Sequence, residues 1–154
     1  MGSASAFADV TSSQQWDLHG SHEFVTLGSP AAGAALTVTV PGSVEWEVLA
    51  VSFLYTADAN AANRFPSLSI LDQSGSGIGP ICTPFKLVAS DASRITFGVG
   101  IVQFGADSAA QIGCGIPPMR IQDGLRIRLT ATGIQATDTI TAARLYVRQW
   151  RVRE

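Results

Sequence analysis

Hydrophobic and polar residues alternate with a period of two along most of this chain from His22 onward. Residues 36–40 (LTVTV) and 125–132 (LRIRLTAT) show the alternation most clearly. Neighbouring side chains in a β-strand point to opposite faces, so this pattern indicates strands with one buried and one exposed face. No stretch keeps a 3.6-residue period over three helical turns. The pattern therefore predicts an all-β protein.

The clearest pair of predicted strands lies within residues 44–75, VEWEVLAVSFLYTADANAANRFPSLSILDQSG. Val44, Trp46 and Val48 share one face, and the run that follows them is apolar on both faces. Such a run is expected where a strand enters the centre of a sandwich. We predict three elements here: a central strand over residues 44–55, an exposed loop over 57–64, and a second strand that ends at Asp72.

The rest of the chain adds further strands and one irregular stretch. We predict strands over residues 80–89, 94–104, 125–132 and from Thr139 onward, with an irregular stretch over 105–124. Gly98 and Gly100 alternate with apolar residues, which indicates a bend or the close approach of another backbone. The apolar phase slips between Val147 and Trp150, which predicts a bulge or a change of packing partner. About eight strands with loops of unequal length favour an antiparallel β-sandwich of the jelly-roll type.

The first twenty residues differ from the rest in being small and polar, with Phe7 and Trp16 as isolated aromatic residues. We predict an extended N-terminal arm over residues 1–20 and one β-sandwich domain over 21–154, a length sufficient for a single core. The start of the chain lacks a basic region followed by an apolar one, so we expect no cleaved signal peptide. No run approaches the roughly 18 apolar residues of a membrane-spanning helix, so we expect no membrane association.

Composition excludes a disordered chain, because 46% of the residues are hydrophobic and only 14% are charged. Lys86 is the single lysine among ten basic residues. Interfaces are depleted in lysine and enriched in arginine and aromatics, so a surface covered by neighbours would explain this, as would a compositional bias of the genome. Residues 1–63 carry six acidic side chains and no Lys or Arg, whereas residues 64–154 carry ten basic and six acidic ones. Such asymmetry either creates complementary patches between copies or averages out in the fold.

Potential metal ligands and cysteines show no diagnostic spacing. His19 and His22 lie in the sequence HGSH without a third ligand at a suitable distance, and a tetrahedral zinc site usually has four. Cys82 and Cys114 lie 32 residues apart and form no CxxC motif. They are interpreted as small buried hydrophobic residues, and a single disulfide between them stays open. We predict no metal and no cofactor.

No catalytic motif is present in the sequence. There is no G-x-S-x-G nucleophile elbow, and the glycines of residues 72–79 match neither a dinucleotide-binding nor a phosphate-binding loop. Asp58 and Asp72 flank the predicted loop, but Asp at strand ends is more typical of turns than of a paired-carboxylate site. We therefore predict that the protein is not an enzyme.

The C-terminal segment RLYVRQWRVRE combines arginines with aromatic residues, as nucleic-acid surfaces do. In a strand, Arg148 and Trp150 share one face while Arg151 and Arg153 share the other, so no single arginine stripe forms. The net charge of −2 also argues against nucleic-acid binding. We expect these arginines to pair with carboxylates of neighbouring chains, because the guanidinium fork suits interfaces.

One segment resembles a known family. Its landmarks, in order, are Trp46, Phe53, Tyr55, Thr56-Ala57-Asp58, Asn63-Arg64, Pro66, Leu68, Ile70 and Asp72, followed by glycines. This order resembles a module of tailed-bacteriophage virion structural proteins, in which a jelly-roll domain decorates the capsid or forms the base of a head fibre. The general pattern covers residues 36–152, and the detailed likeness covers 44–75. The resemblance transfers no catalytic residue.

The resemblance implies a capsid decoration (cement) protein, expected to be a homotrimer. It would bind the major capsid protein on the capsid exterior between capsomers, after synthesis in the host cytoplasm. The arm would reach across the shell or a sister subunit and place its aromatic residues in pockets, which would oppose the pressure of packaged DNA. The predicted interface residues are Phe7, Trp16, Arg64, Arg148, Trp150 and Arg151.

A second function also fits the sequence, namely a carbohydrate- or receptor-binding β-sandwich of a phage fibre or base plate. Sugar sites usually need exposed aromatic residues beside polar groups. The chain has three tryptophans, Trp16, Trp46 and Trp150. Trp46 alternates with glutamates and is expected to face the core, which weakens this alternative.

Overall fold

A computed structural model describes residues 19–152 of the chain. This part of the chain forms ten β-strands, so the prediction of about eight was slightly low. They are β1 (Ser21–Thr26), β2 (Leu36–Thr39), β3 (Val44–Thr56), β4 (Phe65–Leu71), β5 (Gly77–Cys82), β6 (Ala92–Val99), β7 (Gln111–Ile116), β8 (Arg120–Ile121), β9 (Arg126–Thr132) and β10 (Thr139–Arg151).

The strands form two sheets that pack as a β-sandwich. The larger sheet has the order β1-β10-β3-β6-β7, with the short β8 also paired to β3, and the smaller has the order β2-β9-β4-β5. All strand pairs are antiparallel except β6–β7, which is parallel. The predicted all-β, jelly-roll-type sandwich is confirmed.

The core lies between the sheets and is built from alternate residues of the long strands. In β3, Trp46, Phe53 and Tyr55 are buried, and β3 occupies the middle of the larger sheet, as the sequence predicted. In β9, Ile127 and Leu129 are buried while Arg126 and Arg128 are only half-buried, which confirms the two faces expected for that strand. The alternation therefore fixes which face of each strand meets the core.

The loop between β6 and β7 folds back over the outer face of the larger sheet. A parallel pair needs a crossover connection, and here residues 100–110 provide it. Gly98 leaves space for the Ile101 side chain, and Gly113 leaves space for the Phe104 ring, which would each collide with an added Cβ. A close approach was expected at Gly98, but the approaching group is the Ile101 side chain and not another backbone.

Three strand boundaries predicted from sequence were wrong. The strand expected over residues 80–89 ends at Cys82, and the one expected over 94–104 ends at Val99. The supposedly irregular stretch 105–124 contains β7 and β8. The glycines of β7 hide its alternation, because they lie beneath Phe104 and Ile101 where a larger side chain would not fit.

The final strand carries an irregularity as expected, but its pairing with β3 is regular between Val147 and Trp150, where the slip was predicted. The register between β10 and β3 shifts between Tyr146 and Val147, and again between Thr141 and Arg144. The first shift places an extra residue in β3, so that Val48 and Val51 both face the core, and the second places one in β10, so that Ile140 and Ala143 both do. In residues 19–152, no helix has the length and hydropathy needed to span a membrane.

Candidate interaction surface

The most distinctive surface lies on the outer face of the larger sheet, where β1, β10 and β3 are adjacent. Leu145 and Val147 of β10 point into the core, so Tyr146 and Arg148 point outward. The register pairs Phe24 of β1 with Tyr146 and His22 with Arg148. Directly paired residues lie on the same face, so the two strands bring aromatic and basic side chains together.

Aromatic rings occupy the β1 side of this surface. The rings of Phe24 and Tyr146 stack with centroids 4.7 Å apart, and the His22 ring lies 5.6 Å from that of Tyr146. Phe24 is 75% exposed. An aromatic side chain that is held by stacking yet largely exposed has the properties of an interface anchor.

Arginines and glutamates continue the surface toward β3 and β8. Arg120 lies over the Trp150 ring at 4.1 Å, and Arg148 lies 5.9 Å from the same ring. Arg120 pairs with Glu45 at 2.6 Å and Arg148 with Glu47 at 3.6 Å. We call this surface the aromatic–arginine face; it consists of His22, Phe24, Glu45, Glu47, Arg120, Tyr146, Arg148 and Trp150.

The ion pairs of the aromatic–arginine face are partly exposed to solvent. The Arg120 side chain is 56% exposed and that of Arg148 is 38% exposed. Exposed pairs contribute about 0–1 kcal/mol to folding. These contacts therefore orient the guanidinium groups on the surface more than they stabilise the sandwich.

The structure brings two of the predicted interface residues together, Arg148 and Trp150, which share the aromatic–arginine face. Arg151 is exposed at the end of β10 but lines a small polar pocket with Ser21 and Glu23 on the other side of the strand. Arg148 and Arg151 therefore lie on different faces, as expected, while Arg153 lies outside the described residues. Phe7 and Trp16 lie outside the described residues, as does nearly all of the predicted arm.

The interface prediction was wrong for Arg64. Its side chain is fully buried, with Nε 3.1 Å from an Asp138 carboxylate oxygen and a terminal nitrogen 2.7 Å from Asp58. The other terminal nitrogen donates to the Ala62 carbonyl oxygen at 2.9 Å. All three guanidinium nitrogens therefore have partners within the chain, and none reaches the surface.

Asp138 is the centre of this buried charge cluster, which we define as Tyr55, Asp58, Arg64 and Asp138. Its carboxylate accepts hydrogen bonds from the Tyr55 hydroxyl and from the backbone N–H groups of Asp58 and Gln135. The cluster joins the end of β3 to the loop before β4 and to the turn before β10. It ties these three segments together at one end of the sandwich.

The pKa values of the cluster keep its charges fixed. Burial raises the pKa of Tyr55, and its hydrogen bond to Asp138 raises it further. Burial alone would raise the pKa of Asp138, but hydrogen bonds from Arg64 and Tyr55 bring it below the ordinary value. The hydrogen bond from Thr137 lowers the pKa of Asp58 to about 2, against the smaller effect of burial. The cluster thus consists of ionised aspartates, a cationic arginine and a neutral tyrosine at neutral pH.

Several residues of these sites were missed by sequence analysis. Phe24 had a usable signal, because it alternates with Val25, which packs against the core. Glu45 and Glu47 were recognised as outward-facing but not as arginine partners. The pairing of Asp138 with Arg64 could not be recognised in the sequence, since the two residues lie 74 positions apart in the chain.

The remaining candidates from the sequence have ordinary structural roles. Asp72 accepts hydrogen bonds from the backbone N–H groups of Ser74 and Ser76, as expected of a turn-forming residue. Cys82 is exposed and Cys114 partly buried, so burial was wrongly expected for Cys82, and both thiols are free. Across residues 19–152, no group of three or more His, Cys, Asp or Glu side chains is arranged to hold a metal ion.

Comparison with solved structures gives a weak structural likeness to a viral protein. No protein-family model and no curated protein matches the chain. The structure of infectious bursal disease virus Gx strain aligns with 85% of this chain at a TM-score of 0.36 and 11% identity. The aligned region is 32% of that protein's chain, so this chain spans about a third of its length. No comparison places the chain in the tailed-phage family that residues 44–75 resemble.

Proposed function

We propose that this chain is a structural protein of a tailed-phage virion, which decorates the capsid exterior and acts by adhesion. The observation that carries the proposal is the aromatic–arginine face. It presents Phe24, Tyr146 and Trp150 with two arginines and no lysine on the outside of a sheet. This is the composition of interface centres, where aromatic residues and arginine supply most of the binding energy.

The proposal includes no catalytic step, and the buried charge cluster supports this. The raised pKa of Tyr55 and the lowered pKa of Asp138 would suggest a functional site if these groups lined a cleft. Both residues are buried, and each polar group has a partner within the chain. Groups enclosed in this way hold segments together and cannot contact a substrate.

In this proposal the partners are the major capsid protein and further copies of the chain, expected as a trimer. The arm and the aromatic–arginine face supply the contacts, and many such contacts around a capsid would add up to strong retention. The resemblance of residues 44–75 to tailed-phage proteins indicates the type of particle.

The copy number of the chain in purified particles tests this function. We expect quantitative mass spectrometry of virions from the phage that encodes the chain to find it in a fixed ratio near that of the major capsid protein. A few copies per particle would favour a fibre or base-plate component instead. Its absence from particles would contradict the virion proposal altogether.

A carbohydrate-binding role is the second candidate, and the stacked pair of the exposed Phe24 and the half-buried Tyr146 favours it. Phe24 and Tyr146 offer ring surfaces beside polar groups of His22 and Arg148, as sugar platforms do. Binding of the isolated protein to a glycan array, lost in the variant Tyr146→Ala, would support this candidate. Binding to assembled capsids with no glycan binding would support decoration.

A further inference from the structure

The described part of the chain begins beside the aromatic–arginine face. Gly20 has φ +67°, and a Cβ atom there would lie 2.7 Å from Cγ of Arg148 and 3.0 Å from Cε2 of Trp150. The backbone therefore passes directly against two residues of the face, in a conformation that glycine adopts most readily. Residues 1–18 accordingly join the fold at the edge of this surface.

The segment is long compared with the surface that it borders. Eighteen extended residues span up to about 60 Å, whereas the six residues of β1 span about 20 Å. Phe7 lies thirteen positions before Gly20, which corresponds to about 43 Å of extended chain. An extended segment of this length would be long enough to reach past its own sheet.

The chemistry of the segment complements that of the face. Residues 1–18 carry Asp9 and Asp17 and no Lys or Arg, together with Phe7 and Trp16. The face offers the exposed ring of Phe24, flanked on the same side of the sheet by Arg144 and, further across, Arg94. Neither arginine forms an ion pair with a carboxylate of residues 19–152. Acidic side chains would complement these two arginines, and further aromatic rings could stack on the exposed ring of Phe24.

We propose that the aromatic–arginine face binds residues 1–18 of a second copy of the chain. In this contact, Phe7 and Trp16 supply the apolar side chains. Asp9 and Asp17 face two arginines that form no ion pair within residues 19–152, Arg144 and Arg94. The inference rests on the proposed function, whose self-association it assigns to specific residues. Each copy gives one segment and receives one, so the exchange forms a closed ring when the rotation between copies closes.

A complementation experiment with full-length variants tests this contact. The arm variant, Phe7→Ser with Trp16→Ser, keeps the face but loses the anchors of the segment. The face variant, Phe24→Asp, keeps the segment but places a negative charge where acidic residues would bind. The matched control is Ile78→Asp, because Ile78 is 65% exposed on the opposite sheet.

Light scattering after size-exclusion chromatography should show a multimer for the wild type and for the control variant. Each of the two test variants should be monomeric, and its circular dichroism spectrum should match that of the wild type. When the two are mixed, native mass spectrometry should show a one-to-one heterodimer, because an intact segment then meets an intact face. A monomeric wild type overturns the inference. Loss of the multimer without recovery on mixing also overturns it and indicates that the segment binds its own chain.

The outcome is separable from that of the proposed function. A chain that is monomeric in solution but abundant in purified particles overturns the exchange and leaves decoration in place. A multimer that depends on Phe24 and on the segment, with no chain in the particles, supports the exchange and contradicts the virion role.

Discussion

The buried charge cluster and the aromatic–arginine face use the same chemistry in opposite settings. Each combines arginine, a carboxylate and tyrosine within the larger sheet or next to it. In the cluster, Arg64 and Asp138 have no exposed surface and all their polar atoms are paired. On the face, Arg120 and Arg148 are partly exposed and Phe24 is 75% exposed.

This difference shows that the residues that stabilise the fold are not the residues that are available to bind a partner. Removing one partner of a buried ion pair strongly destabilises the fold, because the remaining charge is left without solvent or counterion. An exposed pair is replaced by water at little cost. We therefore expect substitutions in the cluster to act on folding and those on the face to act on association.

The largest effect is expected from Arg64→Met, which removes the cation of the cluster and keeps most of its volume. Asp138 would then be a buried carboxylate without its cation, at a cost of about 3–5 kcal/mol in the free energy of unfolding. Urea denaturation followed by tryptophan fluorescence measures this loss.

The matched control for that variant is Arg148→Met on the aromatic–arginine face. Its ion pair with Glu47 is long, at 3.6 Å, and partly exposed, so we expect a loss below about 1 kcal/mol. Equal losses in the two variants would contradict the separation of stability from interaction.

A smaller effect is expected from Tyr55→Phe, which deletes a single hydroxyl group from the cluster. Asp138 keeps its contacts with Arg64 and with two backbone N–H groups, so the expected loss is about 1–2 kcal/mol. Tyr146→Phe on the face serves as the control and should change the free energy of unfolding by less than about 0.5 kcal/mol. If both tyrosines tolerate the change equally, the Tyr55 hydroxyl does not stabilise the fold.

Much of the fold could be predicted because it depends on local alternation. The strand β3 and the faces of β9 follow from the order of apolar and polar residues. The strand β7 could not be predicted, because its glycines serve contacts with Phe104 and Ile101 of a loop earlier in the chain. Where a tertiary contact requires glycine, the strand has no side chain at that position, and the alternation of apolar and polar residues cannot be recognised there.

The candidate sites were predictable only in part, for a related reason. Arg148 and Trp150 lie two positions apart on one strand, so the sequence already places them on one face. Arg64 appeared to be a loop residue available for contacts, since its partner Asp138 is brought near by the packing of distant segments. Pairings of this kind depend on topology, and the same holds for Phe24 and Tyr146.

Acid tests the cluster without removing a side chain. The folded-state pKa of Asp58 is about 2, held there mainly by the hydrogen bond from Thr137, whereas an unfolded aspartate has a pKa near 3.9. The stabilisation from this group is therefore complete above about pH 4 and is lost as the pH falls toward 2. We expect the melting temperature to decline over that interval.

In the variant Asp58→Asn the decline between pH 4 and 2 should be shallower than in the wild type, because the carboxylate that titrates is missing. The variant should also melt at a lower temperature at pH 7, since its contact with Arg64 is no longer charged on both sides. Asp123→Asn, at an exposed carboxylate remote in the chain from Arg64, provides the control and should keep the wild-type slope. An equal slope in wild type and Asp58→Asn would show that the acid response comes from carboxylates elsewhere, such as Asp72, whose pKa is lowered by the Ser74 hydroxyl.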